Sequence, residues 1–209
     1  MTRPDFGRLT RDNIVAFIGD VFDRRGDEEY LGEPVTMAQH MLQGATIAAQ
    51  SALPEEIIVA ALLHDIGHFT SEFGTFSMDD TEDRFHEEAG AELLERFFPP
   101  VVTDCVRHHV AAKRYLCATK PDYLERLSEA SIHSLSLQGG PMRAEEVAEF
   151  EKNPNLKEIV QVRYLDEAGK RPGMETPDYW HFAPMIQRVV DRHCAAKDGQ
   201  PLKAAGTEA

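Results

Sequence analysis

An apolar segment, residues 57–63, is followed directly by a histidine and an aspartate, His64 and Asp65. As a helix, the segment would have apolar side chains on nearly every face. This predicts a buried, central helix, EEIIVAALLHDIGHF, that begins after Pro54. Two adjacent polar side chains in such a dry environment cost free energy unless they pair with each other or bind a cation. An isolated pair would favour a hydrogen-bonded couple in the core. The pair therefore indicates a metal site only if other candidate ligands accompany it.

The rest of the chain has the periodicity of helices. Apolar residues recur at steps of three and four, whereas alternating β-branched runs closed by tight turns do not occur, so we expect an all-α fold. Thr36 is expected to cap the second helix, and Pro99 and Pro100 to end the helix that follows a predicted acidic loop at 71–84. The predicted helices span residues 11–24, 37–51, 55–69, 86–98, 101–117, 121–137, 143–151, 155–167 and 178–196.

Length and charge limit the possible classes of function. The 209 residues predict a single domain, 1–209, with a core at about 25–196 and a frayed tail at about 197–209. Lysine and arginine total 22 against 36 acidic residues, and the net charge of −14 argues against nucleic acid or a membrane surface as partner. The three widely spaced cysteines favour a cytoplasmic protein, and the longest apolar stretch is too short to span a bilayer.

Further histidines and one aspartate accompany the pair, in the order His40, His64-Asp65, His86, His109 and Asp166. This order resembles the HD-domain superfamily of metal-dependent phosphohydrolases, and the two additional histidines, His86 and His109, resemble its dinuclear subset. The resemblance implies a single-domain HD-type helical bundle around a dinuclear metal site. It also implies that Asp65 bridges two metals, that His40, His64 and Asp166 complete one of them, and that His86 and His109 hold the other.

Longer motifs narrow the resemblance. They look like those of the mixed-valent diiron oxygenases of the HD superfamily that cleave the carbon–phosphorus bond of 1-hydroxy-2-aminoethylphosphonates, and the likeness covers residues from about 30 to about 170. The motifs are YLGE at 30–33, HDIGH at 64–68, HVAAKRY at 109–115, LSEAS at 127–131, QGGPM at 138–142 and RYLD at 163–166.

Three potential anion-binding side chains, His68, Lys113 and Arg163, stand one helical turn from a predicted ligand, which would place them around a phosphonate beside the metals. Without the ligand pattern, Lys113 and Arg163 would be better interpreted as solvated surface charges. The resemblance adds Ser131 as a hydroxyl donor to the phosphonate. Gln138 is either a further donor or a turn residue.

The resemblance assigns Tyr30 and Glu33 to a gate beside the oxygen-binding metal and to contact with the cationic nitrogen of the substrate. A carboxylate and an aromatic face both suit a cation. Phe69, Phe73 and Phe76 flank the predicted acidic loop, and they either belong to the core or line a cage for a methylated ammonium group.

The implied activity is O2-dependent cleavage of (R)-1-hydroxy-2-(trimethylammonio or amino)ethylphosphonate to glycine betaine or glycine plus phosphate, with O2 as co-substrate. The implied cofactor is a pair of iron ions in a mixed Fe(II)/Fe(III) state. The nearby aromatic residues favour the N-trimethyl substrate, whose 1-hydroxyl group a separate hydroxylase would introduce.

Three other hypotheses compete with this one. The main alternative is a metal-dependent phosphohydrolase of the HD superfamily that acts on a phosphate ester or nucleotide. An inositol-type oxygenase fits the phosphonate-binding residues poorly. The full set of six candidate ligands argues against a helical interaction domain with a degenerate site.

Overall fold

The computed structural model describes residues 6–30, 32–70 and 85–199, and within these ranges the chain is helical with no β-strand, which confirms the all-α prediction. The predicted loop at 71–84 and residues 200–209 of the predicted tail lie outside the described residues. Two short 3-10 helices span Phe6–Arg8 and Leu124–Arg126. The α-helices are α1 (Ile14–Arg25), α2 (Met37–Gln50), α3 (Glu55–Leu63), α4 (Gly67–Thr70), α5 (His86–Leu94), α6 (Pro100–Thr119), α7 (Glu129–Leu137), α8 (Ala144–Phe150), α9 (Leu156–Ala168) and α10 (Tyr179–Lys197).

Local signals in the sequence start several of these helices. Thr36 caps α2 in a capping box, because its hydroxyl accepts the Gln39 backbone N–H while the Gln39 side chain accepts the Thr36 N–H. Pro99 and Pro100 occupy the start of α6, where a missing backbone N–H costs nothing. The prediction at Thr36 is therefore confirmed. The proline pair was expected to end the preceding helix, but α5 already ends at Leu94 and the prolines instead start α6.

Helix α3 lies at the centre of the fold. All seven residues from 57 to 63 are buried, and the helix packs against α2, α6, α9 and α10. A helix that is apolar all round must be enclosed in this way, because no face of it gains by contact with water. The prediction of a central helix is confirmed, and the residues that follow α3 consequently enter a dry interior.

The predicted helix 55–69 is wrong as one continuous element. The α-helix ends at Leu63, and i−3 hydrogen bonds, such as His68 N to Asp65 O at 3.0 Å, tighten the chain into a turn before α4. The predicted helix 121–137 is also wrong, because α7 begins only after Ser128, whose hydroxyl caps it by accepting the Ser131 N–H. The predicted helix 86–98 ends early, at Leu94.

The described helices lack the features of a membrane-spanning segment. Its two longest helices, α6 and α10, both carry several charged residues. Among residues 6–30, 32–70 and 85–199, no helix combines the length and the apolar character that crossing a membrane requires.

Candidate metal centre and adjoining pocket

The six predicted ligands come together although they lie on five separate parts of the chain. All six are buried. Helix α2 supplies His40, the turn after α3 supplies His64 and Asp65, and α5, α6 and α9 supply His86, His109 and Asp166. Facing helices of a bundle are a common support for metal sites, because each helix fixes one or two ligands by its own packing.

The histidines form two pairs whose ring nitrogens face each other. His40 Nε2 lies 3.0 Å from His64 Nε2, and His86 Nε2 lies 3.0 Å from His109 Nε2. Two neutral rings that present lone pairs to each other at this distance repel. Each pair therefore fits a cation held between its nitrogens.

Backbone carbonyls fix which nitrogen carries the proton in three of these rings. A carbonyl only accepts, so each of these Nδ1 atoms is protonated and a neutral ring has its lone pair on Nε2. The Nδ1 partners are Gly169 O for His40 (3.0 Å), Ala61 O for His64 (2.9 Å) and Val106 O for His109 (2.7 Å).

Asp65 lies between the two pairs and turns one oxygen to each. Its Oδ2 is 3.4 Å from both His40 Nε2 and His64 Nε2, and its Oδ1 is 3.3 Å from His86 Nε2 and 3.2 Å from His109 Nε2. Burial acts to raise the pKa of Asp65, but the neighbouring histidines, His64 first, outweigh it and hold that pKa well below its usual value. An ionised carboxylate shared in this way has the geometry of a bridge between two cations.

Asp166 faces the first histidine pair. Its Oδ1 lies 3.5 Å from His40 Nε2, while its Oδ2 accepts a hydrogen bond from Arg163 Nη1 at 2.5 Å. Burial acts to raise the pKa of Asp166, but Arg163 and then His64 outweigh it, and the pKa is lowered. Asp166 is therefore an ionised group next to one pair only, in contrast to Asp65.

Buried polar atoms without partners test whether this donor set fits a metal. Within the described part of the chain, Asp65 Oδ2 and Asp166 Oδ1 have no hydrogen-bond partner. Native proteins rarely leave such atoms unsatisfied, because each costs about 1–3 kcal/mol. Imidazole nitrogens and carboxylate oxygens are the usual ligands of iron and zinc, so the residues present fit metal ions.

His68 lies beside the second pair. Its ring stacks on His86 with centroids 3.9 Å apart, and its Nε2 is 3.9 Å from Asp65 Oδ1. Burial and then His86 lower the pKa of His68 well below its usual value. The ring is neutral at pH 7, so it offers a donor and a lone pair to the site and adds no positive charge.

Gly67 allows α4 to approach α5 and so sets the position of His86. Gly67→Ala is expected to lower the free energy of unfolding by about 3 kcal/mol, the upper part of the range for overpacking. An added Cβ would lie 1.7 Å from the His86 carbonyl oxygen and 2.8 Å from the Gly90 nitrogen, so α5 must shift. Chemical denaturation and metal analysis measure the effect.

The matched control is Gly44→Ala in α2. Its added Cβ would meet no atom nearer than 3.6 Å, so stability and metal content should be unchanged or improved. Equal behaviour of the two variants would contradict this role of Gly67.

A pocket opens next to the metal centre, and it contains every predicted substrate-binding residue. It also contains Ser134 and Lys170, which the sequence analysis missed. Its polar lining consists of Tyr30, Glu33, Asp65, His68, His86, His109, Lys113, Ser131, Ser134, Gln138, Arg163, Asp166 and Lys170.

Lys113 and Arg163 are buried charges and do not lie on the surface. Lys113 is 3% exposed and donates to Ser134 Oγ at 2.7 Å; burial and then Arg163 lower the pKa of Lys113 to about 7. Arg163 is 4% exposed, donates from Nε to Tyr123 Oη at 2.8 Å and forms ion pairs with Asp166 and Glu167. Two buried cations in one pocket suit an anionic ligand.

Tyr30 and Glu33 also line the pocket. They lie in a loop that a bridge between Glu29 and Thr36 closes over the start of α2. The Tyr30 ring stacks on the His40 ring, with centroids 4.0 Å apart. The Glu33 side chain is 8% exposed, accepts a hydrogen bond from Ser128 and lies 3.2 Å from Lys170 Nζ.

The aromatic residues considered for a cage divide into two groups. Phe69 is buried in the core, where it packs near Phe22 and under the Arg25 guanidinium, and it does not line the pocket. The core interpretation is therefore the right one for Phe69. Phe73 and Phe76 lie outside the described residues.

Paired histidines, a shared aspartate and a cationic pocket inside a helical bundle are typical of helical proteins that bind metal ions. The sequence model of the HD domain family matches residues 37–168, and the chain belongs to that family. It is 81% identical over 196 residues to the [1-hydroxy-2-(trimethylamino)ethyl]phosphonate dioxygenase (glycine-betaine-forming) of Leisingera caerulea, which covers 94% of this chain and all of the relative. It is 41% identical over 165 residues to the hydroxymethylphosphonate dioxygenase of Gimesia maris, covering 78% of this chain and 82% of the relative.

Proposed function

We propose that this protein is a dioxygenase that cleaves the carbon–phosphorus bond of [1-hydroxy-2-(trimethylammonio)ethyl]phosphonate to give glycine betaine and phosphate. The observation that carries the proposal is the 81% identity, along the full length of the relative, to an enzyme named for this reaction. The relative from Gimesia maris is also named as a dioxygenase of a hydroxyphosphonate. The phosphohydrolase alternative is less supported, because both relatives are named as oxygenases.

The reaction fixes how many oxygen atoms must be supplied. The carboxylate of glycine betaine has one oxygen more than the 1-hydroxyl carbon of the substrate, and phosphate has one oxygen more than the phosphonate group. One O2 molecule provides both atoms, so the equation balances without an added reductant.

We further propose that the metals are two iron ions in a mixed Fe(II)/Fe(III) state. His40, His64 and Asp166 would hold one, His86 and His109 the other, and Asp65 would bridge them. Bound there, iron supplies the activation of O2, because iron changes its oxidation state and zinc does not. The supporting observations are the two Nε2 pairs at 3.0 Å and the two Asp65 oxygens that face them.

The polar side chains of the pocket would orient the substrate from its two ends. Lys113, Arg163 and Ser131 would bind the phosphonate, and His68 and Gln138 would add hydrogen bonds. The burial of both cations supports this assignment, because a water-poor site strengthens their attraction for an anion. These side chains would thus fix the phosphonate end of the substrate.

Tyr30 and Glu33 would bind the trimethylammonium end through the ring face and the carboxylate. A quaternary ammonium cannot donate a classical N–H hydrogen bond, so charge and ring contact must hold it. Fixing both ends places the 1-hydroxyl carbon between them, next to the metal centre.

The substrate already carries its hydroxyl group, so a separate hydroxylating enzyme must act before this one.

We place the protein in the cytoplasm, since Cys105, Cys117 and Cys194 are all free thiols.

The test is oxygen uptake with the N-trimethyl substrate and with its primary-amine analogue, each with measurement of phosphate and of the organic product. We expect higher kcat/KM for the N-trimethyl substrate, with O2 uptake, phosphate and glycine betaine in equal amounts. Preference for the primary amine would refute the assigned substrate, and phosphate release without O2 would favour a hydrolase.

A further inference from the structure

Lys170, the second residue after α9, is a nearly buried lysine inside the pocket, and its side chain is 11% exposed. Its Nζ lies 3.2 Å from Glu33 Oε1 and donates to Ser131 Oγ at 2.8 Å. The same ammonium group lies 5.9 Å from the centroid of the Tyr30 ring and 3.9 Å from Glu167 Oε2. Two carboxylates, a hydroxyl and an aromatic ring thus surround one cation.

Two of these four partners, Glu33 and Tyr30, are the ones that the proposed function assigns to the trimethylammonium group. A second positive charge cannot join Lys170 at Glu33 without repulsion, because one carboxylate would then face two cations in a water-poor pocket. The substrate nitrogen and Lys170 must therefore compete for Glu33.

The attachment of Lys170 allows its head group to move while its backbone stays fixed. The preceding residue, Gly169, accepts a hydrogen bond from His40 Nδ1 at 3.0 Å, which ties the backbone to a proposed metal ligand. Beyond that anchor, the lysine side chain is a flexible stem of four carbons. Its second partner, Ser131, lies at the proposed phosphonate end, and the ammonium group can keep its hydrogen bond to Ser131 after it leaves Glu33.

We propose that Lys170 occupies the subsite for the substrate's cationic nitrogen when no substrate is bound, and that it yields Glu33 to that nitrogen while staying with Ser131 at the phosphonate. This inference rests on the proposed function. The exchange keeps one cation at Glu33 in both states, so the buried carboxylate is never left unpaired. Lys170 thereby sets how strongly the enzyme prefers a cationic substrate over a neutral one.

Binding of two unreactive ligands isolates this effect. The ligands are 2-(trimethylammonio)ethylphosphonate and its isostere 3,3-dimethylbutylphosphonate. In the isostere, carbon replaces nitrogen, so the trimethyl end is uncharged while the phosphonate is unchanged. Neither has the 1-hydroxyl group, so anaerobic calorimetry measures Kd without turnover. The informative quantity is the Kd of the isostere divided by the Kd of the cationic ligand.

In Lys170→Met we expect this ratio to rise about tenfold, a change of about 1.4 kcal/mol, because the competing cation is gone. Lys170→Arg, which retains the charge, should keep the ratio of the unmodified protein. In a Glu33→Gln background, Lys170→Met should leave the ratio unchanged, since the carboxylate over which the cations compete is absent. Lys152→Met, at an exposed lysine paired with Glu149, is the matched control and should change nothing.

An unchanged ratio in Lys170→Met, with both ligands bound, would overturn the role of Lys170 and leave the proposed function standing. An equal rise in the Glu33→Gln background would also overturn it, because the effect would then be independent of the shared carboxylate. Failure of the unmodified protein to bind either phosphonate would overturn the proposed function and the inference together.

Discussion

Asp65→Asn is expected to leave the chain folded but to remove bound metal and to lower turnover by more than about 100-fold, beyond the effect of losing a residue that only orients a ligand. The two Asp65 oxygens face separate histidine pairs at 3.2 to 3.4 Å. An asparagine has one oxygen with lone pairs and no negative charge, so it can serve only one pair, and weakly. Anaerobic metal analysis and oxygen uptake measure the two effects.

The control for this variant is Asp20→Asn. The Asp20 side chain is 57% exposed and pairs with Arg24 on the surface of α1, so its loss should alter neither metal content nor turnover. If Asp65→Asn retained two metals per chain and normal turnover, the assignment of Asp65 as the bridge would be wrong.

Lys113→Met is expected to weaken phosphonate binding by about 10- to 100-fold while making the metal-free protein more stable. A hydrogen bond to a charged group contributes about 1.5–3 kcal/mol, which corresponds to this loss of affinity. The gain in stability arises because Lys113 is 3% exposed, so that its charged form is costly to bury. Calorimetric titration and thermal unfolding measure the two quantities.

The pH dependence of the same variant follows from the pKa of Lys113, which burial and then Arg163 lower to about 7 from an ordinary value of 10.5. Between these values the unfolded chain binds more protons than the folded one, so the stability of the unmodified protein rises with pH. The destabilisation caused by the buried charge of Lys113 is largest below pH 7 and disappears as pH approaches 10.5. The stabilisation in Lys113→Met should therefore be larger at pH 6 than at pH 9.

Lys152→Met is again the control, and it should change neither the affinity nor the pH profile, because Lys152 is 69% exposed. A Lys113→Met protein with unchanged phosphonate affinity would remove Lys113 from the binding site. If Lys113→Met were less stable than the unmodified protein at pH 6, the charge of Lys113 would be well compensated in the fold.

The sequence predicted the parts of this fold that depend on local chemistry. Thr36 marks a helix start through the hydrogen-bonding capacity of its own side chain. His64 and Asp65 were informative because they follow an apolar segment, where burying polar groups costs free energy unless they are paired or bind a cation. The convergence of the six candidate ligands could be predicted only because their order resembles that of the HD superfamily.

Features that depend on contacts between distant segments could not be predicted. The break after Leu63 depends on the close approach of Gly67 to the His86 carbonyl, which no periodicity reveals. The proton positions on His40 depend on Gly169, 129 residues away.

Lys170 illustrates the same limit at the site. A lysine just after a helix is ordinarily a solvated surface charge, and this one is buried because the loop that carries Glu33 packs over the end of α9. Its distance of four residues from Asp166 was the one available signal. The same spacing had already pointed to His68 and Lys113.

The most direct test of the central claim is a reaction of the iron-loaded protein with [1-hydroxy-2-(trimethylammonio)ethyl]phosphonate under oxygen-18 gas. We predict one labelled oxygen atom in glycine betaine, one in phosphate, and one O2 consumed for each phosphate released. Phosphate that forms at the same rate without O2, and that carries oxygen from water alone, would contradict a dioxygenase and point to hydrolysis.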